Sequence, residues 1–274
     1  MVASSTNPRL TLLLRTLTGI EVLVLFAAGV GMYFFPDSTR PLWPWTPAPF
    51  NTAFLGAIYL ASLVTVFLMA ASGRWSPARI VLPSLLVFTV IVLAVSLLYL
   101  NQLDLNRWST WLIWLPLYVI LPLNAAYHIW LYRRQPPAES ISTPSVWRAY
   151  LLGASALVGL YGIGTIIAPA TLTAFWPWKI DDFHGRMYSA VFVTGAVLIF
   201  TVSRTASRAE WITMALAQGV LALFSIAGLL IVDASARRVD WTQAGAWLWV
   251  ALFAAALIVS LGMLLRARRM RASA

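Results

Sequence analysis

Cysteine is absent from this 274-residue chain, which removes disulfides, thiolate metal sites, iron–sulfur clusters and thiol nucleophiles from consideration. Charge is scarce too: Asp, Glu, Lys and Arg make up 10% of the residues against 61% hydrophobic ones, outside the range of soluble globular domains. The lone lysine, Lys179, falls in an expected loop, so no intramembrane lysine could hold retinal. Of the two histidines, His128 belongs near one membrane face and His184 near the other. Across a hydrocarbon core of about 30 Å they would stand about 20 Å apart, which excludes a shared haem iron. No His-Glu-x-x-His, P-loop or Gly-x-Ser-x-Gly pattern occurs, and the one deep carboxylate, Glu21, has no carboxylate partner for intramembrane hydrolysis. No catalytic residue, metal or cofactor is therefore expected.

What the chain has instead is long apolar runs, with a mean hydropathy of +0.81. A bilayer span needs roughly 20 apolar residues, and with charges as boundaries eight spans emerge, near 14–35, 51–72, 80–100, 109–132, 147–169, 185–203, 211–232 and 242–265. The expected class is an all-α integral membrane protein with eight transmembrane helices. The first segment is too long for a signal-peptide core and has an internal counterpart at 147–169, so it reads as an uncleaved span.

The net charge of +10 is spread over loop ends and the C-terminus rather than gathered in one stripe, which argues against nucleic acid and for orientation. With the N-terminus inside, Arg9, Arg15, Arg74, Arg79, Arg133, Arg134, Arg148, Arg204, Arg208, Arg266, Arg268, Arg269 and Arg271 are cytoplasmic. Outside lie Arg40, Arg107, Lys179, Arg186, Arg237 and Arg238, offset by Asp37, Asp104, Asp181, Asp182, Asp233 and Asp240. This 13-to-6 bias places both termini in the cytoplasm of a bacterial plasma membrane. The bilayer is the expected partner, and the arginines from Arg266 to Arg271 read as an anchor on anionic lipid.

Trp43-Pro44-Trp45 recurs as Trp176-Pro177-Trp178, and the same offset of 133 residues aligns Arg15 with Arg148, Gly29 and Gly31 with Gly162 and Gly164, and Pro36 with Pro169. It also aligns Phe50 with Phe183, Phe67 with Phe200, Trp108 with Trp241, Trp114 with Trp247 and Arg133 with Arg266. The chain thus reads as two four-helix repeats, 1–135 and 146–274, joined by a proline- and serine-rich cytoplasmic linker, 136–145. Four spans per unit is even, so both repeats have the same orientation, unlike inverted transporter repeats. Each is expected to form a four-helix bundle, the two lying side by side.

Leu42-Trp-Pro-Trp45 and Phe175-Trp-Pro-Trp178 lie in the longest extracytoplasmic loops. Proline stiffens the backbone and indoles favour the headgroup region, so the motif reads as an aromatic anchor, with a lid over a cavity as the alternative. It resembles a motif of uncharacterised bacterial multi-pass membrane proteins, where Trp-Pro-Trp leads into Leu-Thr-Pro-Leu-Thr-Ala-Arg and a helix of small residues. Thr46 to Ala53 and Lys179 to Arg186 follow that pattern loosely, with Arg186 at the arginine position and Ala53 at its counterpart. The resemblance covers about twenty residues per repeat and implies no activity.

Ionisable groups inside a membrane are costly and mark candidate sites. Glu21 lies six residues beyond Arg15, about 9 Å deep. Asn124 and His128 share a helix face at i, i+4, and His128, five residues before Arg133, sits at similar depth. Glu21 and His128 are therefore expected to be able to pair; their counterparts Ala154 and Leu261 are apolar. Pro83, Pro116 and Pro122 interrupt the third and fourth spans beside this site. The second repeat instead carries Asp181, Asp182, His184 and Arg186 at its outer mouth, where the alternatives are an N-cap with a local ion pair or a ligand site. Gln218, near mid-membrane, suits an interhelical hydrogen bond. The expected function is non-enzymatic binding or translocation of a small or lipid-like molecule. The alternatives are an accessory subunit against another membrane subunit, and an enzyme acting on a lipid or quinone through Glu21 and His128.

Overall fold

The computed structural model describes residues 7–135 and 141–269; linker positions 136–140 and Arg271 of the basic tail lie outside them. Eight helices in the described residues are long and apolar enough to cross a membrane, which makes this a multi-pass membrane protein by length and composition. They are α1 (Leu12–Phe34), α2 (Pro49–Ser72), α3 (Trp75–Leu98), α4 (Thr110–Tyr132), α5 (Ser145–Ile167), α6 (Asp182–Arg204), α7 (Arg208–Ala236) and α8 (Ala244–Arg269). Their ends are set by local chemistry. Thr11 accepts the Leu14 N–H at the start of α1, Asp181 accepts the His184 N–H at the start of α6, and Ser207 with Glu210 forms a reciprocal capping box on α7. Gly73, at φ 58°, closes α2 in the left-handed conformation that glycine adopts without a side-chain clash. Pro83 and Pro122 lie inside helices. Pro116 follows a π-helical turn at Thr110–Trp114, where its missing N–H disturbs the regular ladder.

Corresponding elements open 133 residues apart: Leu12 and Ser145, Pro49 and Asp182, Trp75 and Arg208, and the short helices at Pro36 and Pro169. The helices do not sort into two separate bundles, contrary to the side-by-side expectation. Adjacency runs α1–α2–α7–α8 in one row and α5–α6–α3–α4 in the other. Each row thus combines a helix pair from one half of the chain with a pair from the other. Burial follows: α2 has 56% of its most apolar stretch buried and α8 only 17%. The outer helices turn residues such as Leu23, Leu157, Leu123 and Ile258 outward, where hydrocarbon can cover them.

Close backbone approach within each row needs glycine. A Cβ on Gly29 would come within 3.0 Å of the Leu60 backbone nitrogen, and one on Gly162 within 2.9 Å of the corresponding Val193 nitrogen. Small residues at such crossings let helices pack where no hydrophobic effect drives them together. Gln218 on α7 donates to the Ala256 carbonyl of α8 at 3.0 Å, the interhelical bond its depth suggested. At the end where α1 begins and α8 finishes (the terminal end), Ile141–Ser142 pairs antiparallel with Thr205–Ala206. Arg9 makes an isolated antiparallel bridge to Arg74 at the same end.

Candidate functional site

The opposite, tryptophan end is built from the two Trp-Pro-Trp loops. Trp43, Trp45 and Trp176 are buried, so these indoles pack inside the protein instead of anchoring in a headgroup layer. Trp43 meets Tyr59 edge-on at 5.3 Å, and Trp176 meets the corresponding Phe192 at 6.3 Å. Each loop also reaches across to the other half. Trp45 Nε1 donates to His184 Nε2 at 3.1 Å, and Trp178 Nε1 donates to Asn51 Oδ1 at 2.8 Å. His184 and Asn51 stand 133 residues apart at the starts of α6 and α2, so the two bonds correspond. The loop of Trp43 is further stapled to the segment before α4: Asp104 N–H donates to the Pro44 carbonyl at 2.6 Å, and Arg107 donates to the Trp43 carbonyl.

This arrangement unites two sets of candidate residues. Asp181 holds His184 Nδ1 at 2.8 Å while Trp45 donates to the other ring nitrogen. An imidazole nitrogen that accepts carries no proton, so the network assigns the hydrogen to Nδ1. Burial pushes the Asp181 carboxyl up, but the hydrogen bond from His184 Nδ1, with the backbone N–H groups of His184 and Phe183, holds it below the ordinary carboxylate range. Arg186 is engaged in structure through Nε and Nη1. It reaches Asp182 at 3.2 Å, the Tyr99 hydroxyl at 2.5 Å and the Ile166 carbonyl at 3.0 Å, tying α6 to the ends of α3 and α5. The local pair foreseen for Asp182 and Arg186 is present, but the guanidinium is mainly a crosslink.

The first half carries the polar interior. Glu21, 5% exposed, lies on the face of α1 that also buries Leu14, Thr18 and Leu25. It does not pair with His128. That ring takes the Thr11 hydroxyl at 2.7 Å through Nε2 and the Asn124 carbonyl at 2.9 Å through Nδ1, so His128 lies level with Thr11, about 15 Å of helical rise short of Glu21, and the two are not at matching depth. Tyr132 joins the same corner, accepting the Thr11 N–H and donating to the Arg9 carbonyl. Among the described residues, no donor or cation meets the Glu21 carboxyl. The Thr18 hydroxyl and the Asn124 side-chain oxygen are also buried without partners. Glu21 is an electrostatic neighbour of Tyr118 on α4, whose hydroxyl meets that of Tyr59 on α2 at 3.0 Å. Helical rise agrees: counted from the Thr11–His128 contact, Glu21 and Tyr118 each lie ten residues, about 15 Å, further in.

One node escaped the sequence reading. Arg79 on α3 grips Glu210 on α7 through two bonds of 2.8 and 2.7 Å and also holds the Thr205 carbonyl. Ser76 meets Ser207 at 2.6 Å beside it. Glu210 is wholly buried. Ser207-x-x-Glu210 is a capping-box signature visible in the sequence, whereas its cross-half partner is not.

No protein-family model, curated protein or solved structure matches this chain.

Proposed function

We propose that this membrane protein binds and moves a small or lipid-like molecule with a cationic or protonatable group, centred on Glu21. The observation that carries this reading is the buried Glu21 carboxyl, which among the described residues meets neither donor nor cation, with the unpartnered Thr18 hydroxyl on the same buried face of α1. An uncompensated carboxylate in an apolar interior is too costly to be idle packing. A proton or a bound cation removes that cost, and exchange between them is the elementary step of coupled transport.

The chain is a tandem duplication in this reading, with like-oriented units, and both termini face the cytoplasm of a bacterial plasma membrane. Support comes from the helix starts 133 residues apart, the corresponding Trp45–His184 and Trp178–Asn51 bonds, and the arginine bias toward the terminal end. The accessory-subunit reading draws on a different observation, the aromatic packing that closes the tryptophan end.

Thermal unfolding of the detergent-solubilised protein, with sodium and butylammonium ions as probes and pH varied from about 5 to 9, tests the proposal. A probe or pH change should shift the melting temperature of wild type and leave Glu21→Gln unmoved. Identical responses of the two proteins throughout would overturn it.

A further inference from the structure

At the terminal end, the start of α5, the first turn of α7 and the last turns of α8 meet in a corner of indoles and arginines. Trp147 of α5 covers Gly262 of α8, where an added Cβ would come within 3.5 Å of its ring. Trp147 also meets the fully buried Trp211 of α7 edge-on at 5.6 Å. One turn beyond Gly262 on the same face, the Arg266 guanidinium lies over the Trp211 ring at 5.2 Å. Its Nε is buried without an acceptor. Arg208, one turn before Trp211, donates through Nε to the Ala267 carbonyl at 2.9 Å. A second guanidinium thus reaches the same last turn of α8.

No acid answers these charges. Among the described residues neither arginine forms an ion pair. Glu210, the carboxylate nearest Arg208 in sequence, gives both oxygens to Arg79. Two cations gathered beside apolar rings repel each other, and an uncompensated charge in such a setting is costly. The α8 stripe that leads to them, Ile258, Leu261 and Leu265, is exposed, and exposed Arg268 and Arg269 continue it. The first half has Leu14, Trp75 and Ala78 where this corner has Trp147, Arg208 and Trp211, and there Trp75 stacks on Tyr132 at 4.8 Å. Arg133, which corresponds to Arg266, lies over Trp130 of its own helix.

We propose that this corner binds one anionic phospholipid, its phosphodiester on Arg208 and Arg266 and an acyl chain along Ile258, Leu261 and Leu265. A guanidinium offers paired N–H donors in a plane that matches two phosphate oxygens, and it is more weakly hydrated than an ammonium. One negative charge between the arginines turns their repulsion into attraction. Arg268 and Arg269 set the selectivity, because they repel the quaternary ammonium of a choline headgroup and tolerate a neutral glycerol. The apolar stripe separates a lipid from a soluble phosphate ester, which could use the arginines alone. This site shares no residue with the Glu21 centre and stands without it.

Native mass spectrometry of the full-length protein released from detergent micelles tests the site, with phosphatidylglycerol and phosphatidylcholine of equal chain length as probes. Wild type should retain one phosphatidylglycerol about tenfold or more over phosphatidylcholine. Arg266→Gln and Arg208→Gln should each weaken that retention about fivefold, while Arg238→Gln, at the tryptophan end, leaves it unchanged. Should Arg266→Gln fail to fold by near-ultraviolet circular dichroism, Arg208→Gln reads the same site. Excess glycerol phosphate should displace no lipid. Wild-type retention in the folded arginine variants, or equal retention of the two lipids by wild type, would overturn the proposal. Displacement by glycerol phosphate would overturn the lipid assignment in favour of a soluble phosphate ester.

Discussion

At the tryptophan end the halves are joined by two corresponding bonds, Trp45 to His184 and Trp178 to Asn51. At the terminal end they are joined by Arg79 on Glu210, positions whose counterparts are Ile212 and Pro77. An indole N–H asks only for an acceptor, so histidine and asparagine serve alike and the contact recurs. A buried ion pair needs two matched charges desolvated together, and here it occurs on one side only. The interior divides in the same way: Glu21 and Asn124 face Ala154 and Leu257 in corresponding positions. The two halves share the contacts that build the frame and differ in the residues that carry charge.

The largest expected effect tests the asymmetric end. Arg79→Met leaves Glu210 buried and uncompensated and should cost about 3–5 kcal/mol, measured by unfolding in mixed detergent micelles. Adding Glu210→Met should recover most of that loss. A cost below about 1 kcal/mol, the range of exposed pairs, would show that water reaches Glu210 and that the two ends are fastened alike.

The symmetric end predicts equal and smaller effects. Trp45→Phe and Trp178→Phe each remove one donor from a largely buried acceptor, for about 1–3 kcal/mol apiece. His184→Asn, which installs the residue found at the corresponding position, should be milder than His184→Leu by melting temperature. If Trp45→Phe costs several times more than Trp178→Phe, the correspondence of the two bonds is only geometric.

The smallest effect concerns acid. Asp181 is held below its ordinary value of 3.8, so its carboxylate stabilises the fold fully above that value, and the contribution fades as pH falls through the lower folded-state value. The melting-temperature gap between wild type and Asp181→Asn should therefore hold constant from neutrality to about pH 4 and close below it. A gap that closes well above pH 4 would show that the Asp181 carboxyl is not the group that sets it.

All eight spans were legible from apolar run length, to within five residues at every end. The largest misses were at the start of α3 and the ends of α7 and α8. Charged residues do not end these helices: α7 runs past Asp233 to Ala236 and α8 continues through Arg266 and Arg268 to Arg269. A helix needs no membrane to continue once its own ladder is formed. Which helix packs on which was not legible. Nearly every face of these helices is apolar, and periodicity names a buried face without naming its partner. Glu21 stood out as the lone deep carboxylate, but depth alone matched it to His128, whose ring instead finds Thr11, a capping residue just before α1. The Trp45–His184 bond left a usable trace, since the 133-residue offset sets Asn51 opposite His184 and both residues can accept from an indole.

The interleaved rows also set a timetable for synthesis. The partner of α2 is α7, and the partner of α3 is α6, so the inner faces of the first half wait for residues more than a hundred positions downstream. At a translation rate of about 5–20 residues per second, the first half spends roughly 7–27 s in the bilayer before its true neighbours leave the ribosome. During that interval the inner faces of α2 and α3 have only lipid or an attendant protein beside them. Assembly is consequently a late event, and lesions in α6 or α7 will be felt by helices made long before them.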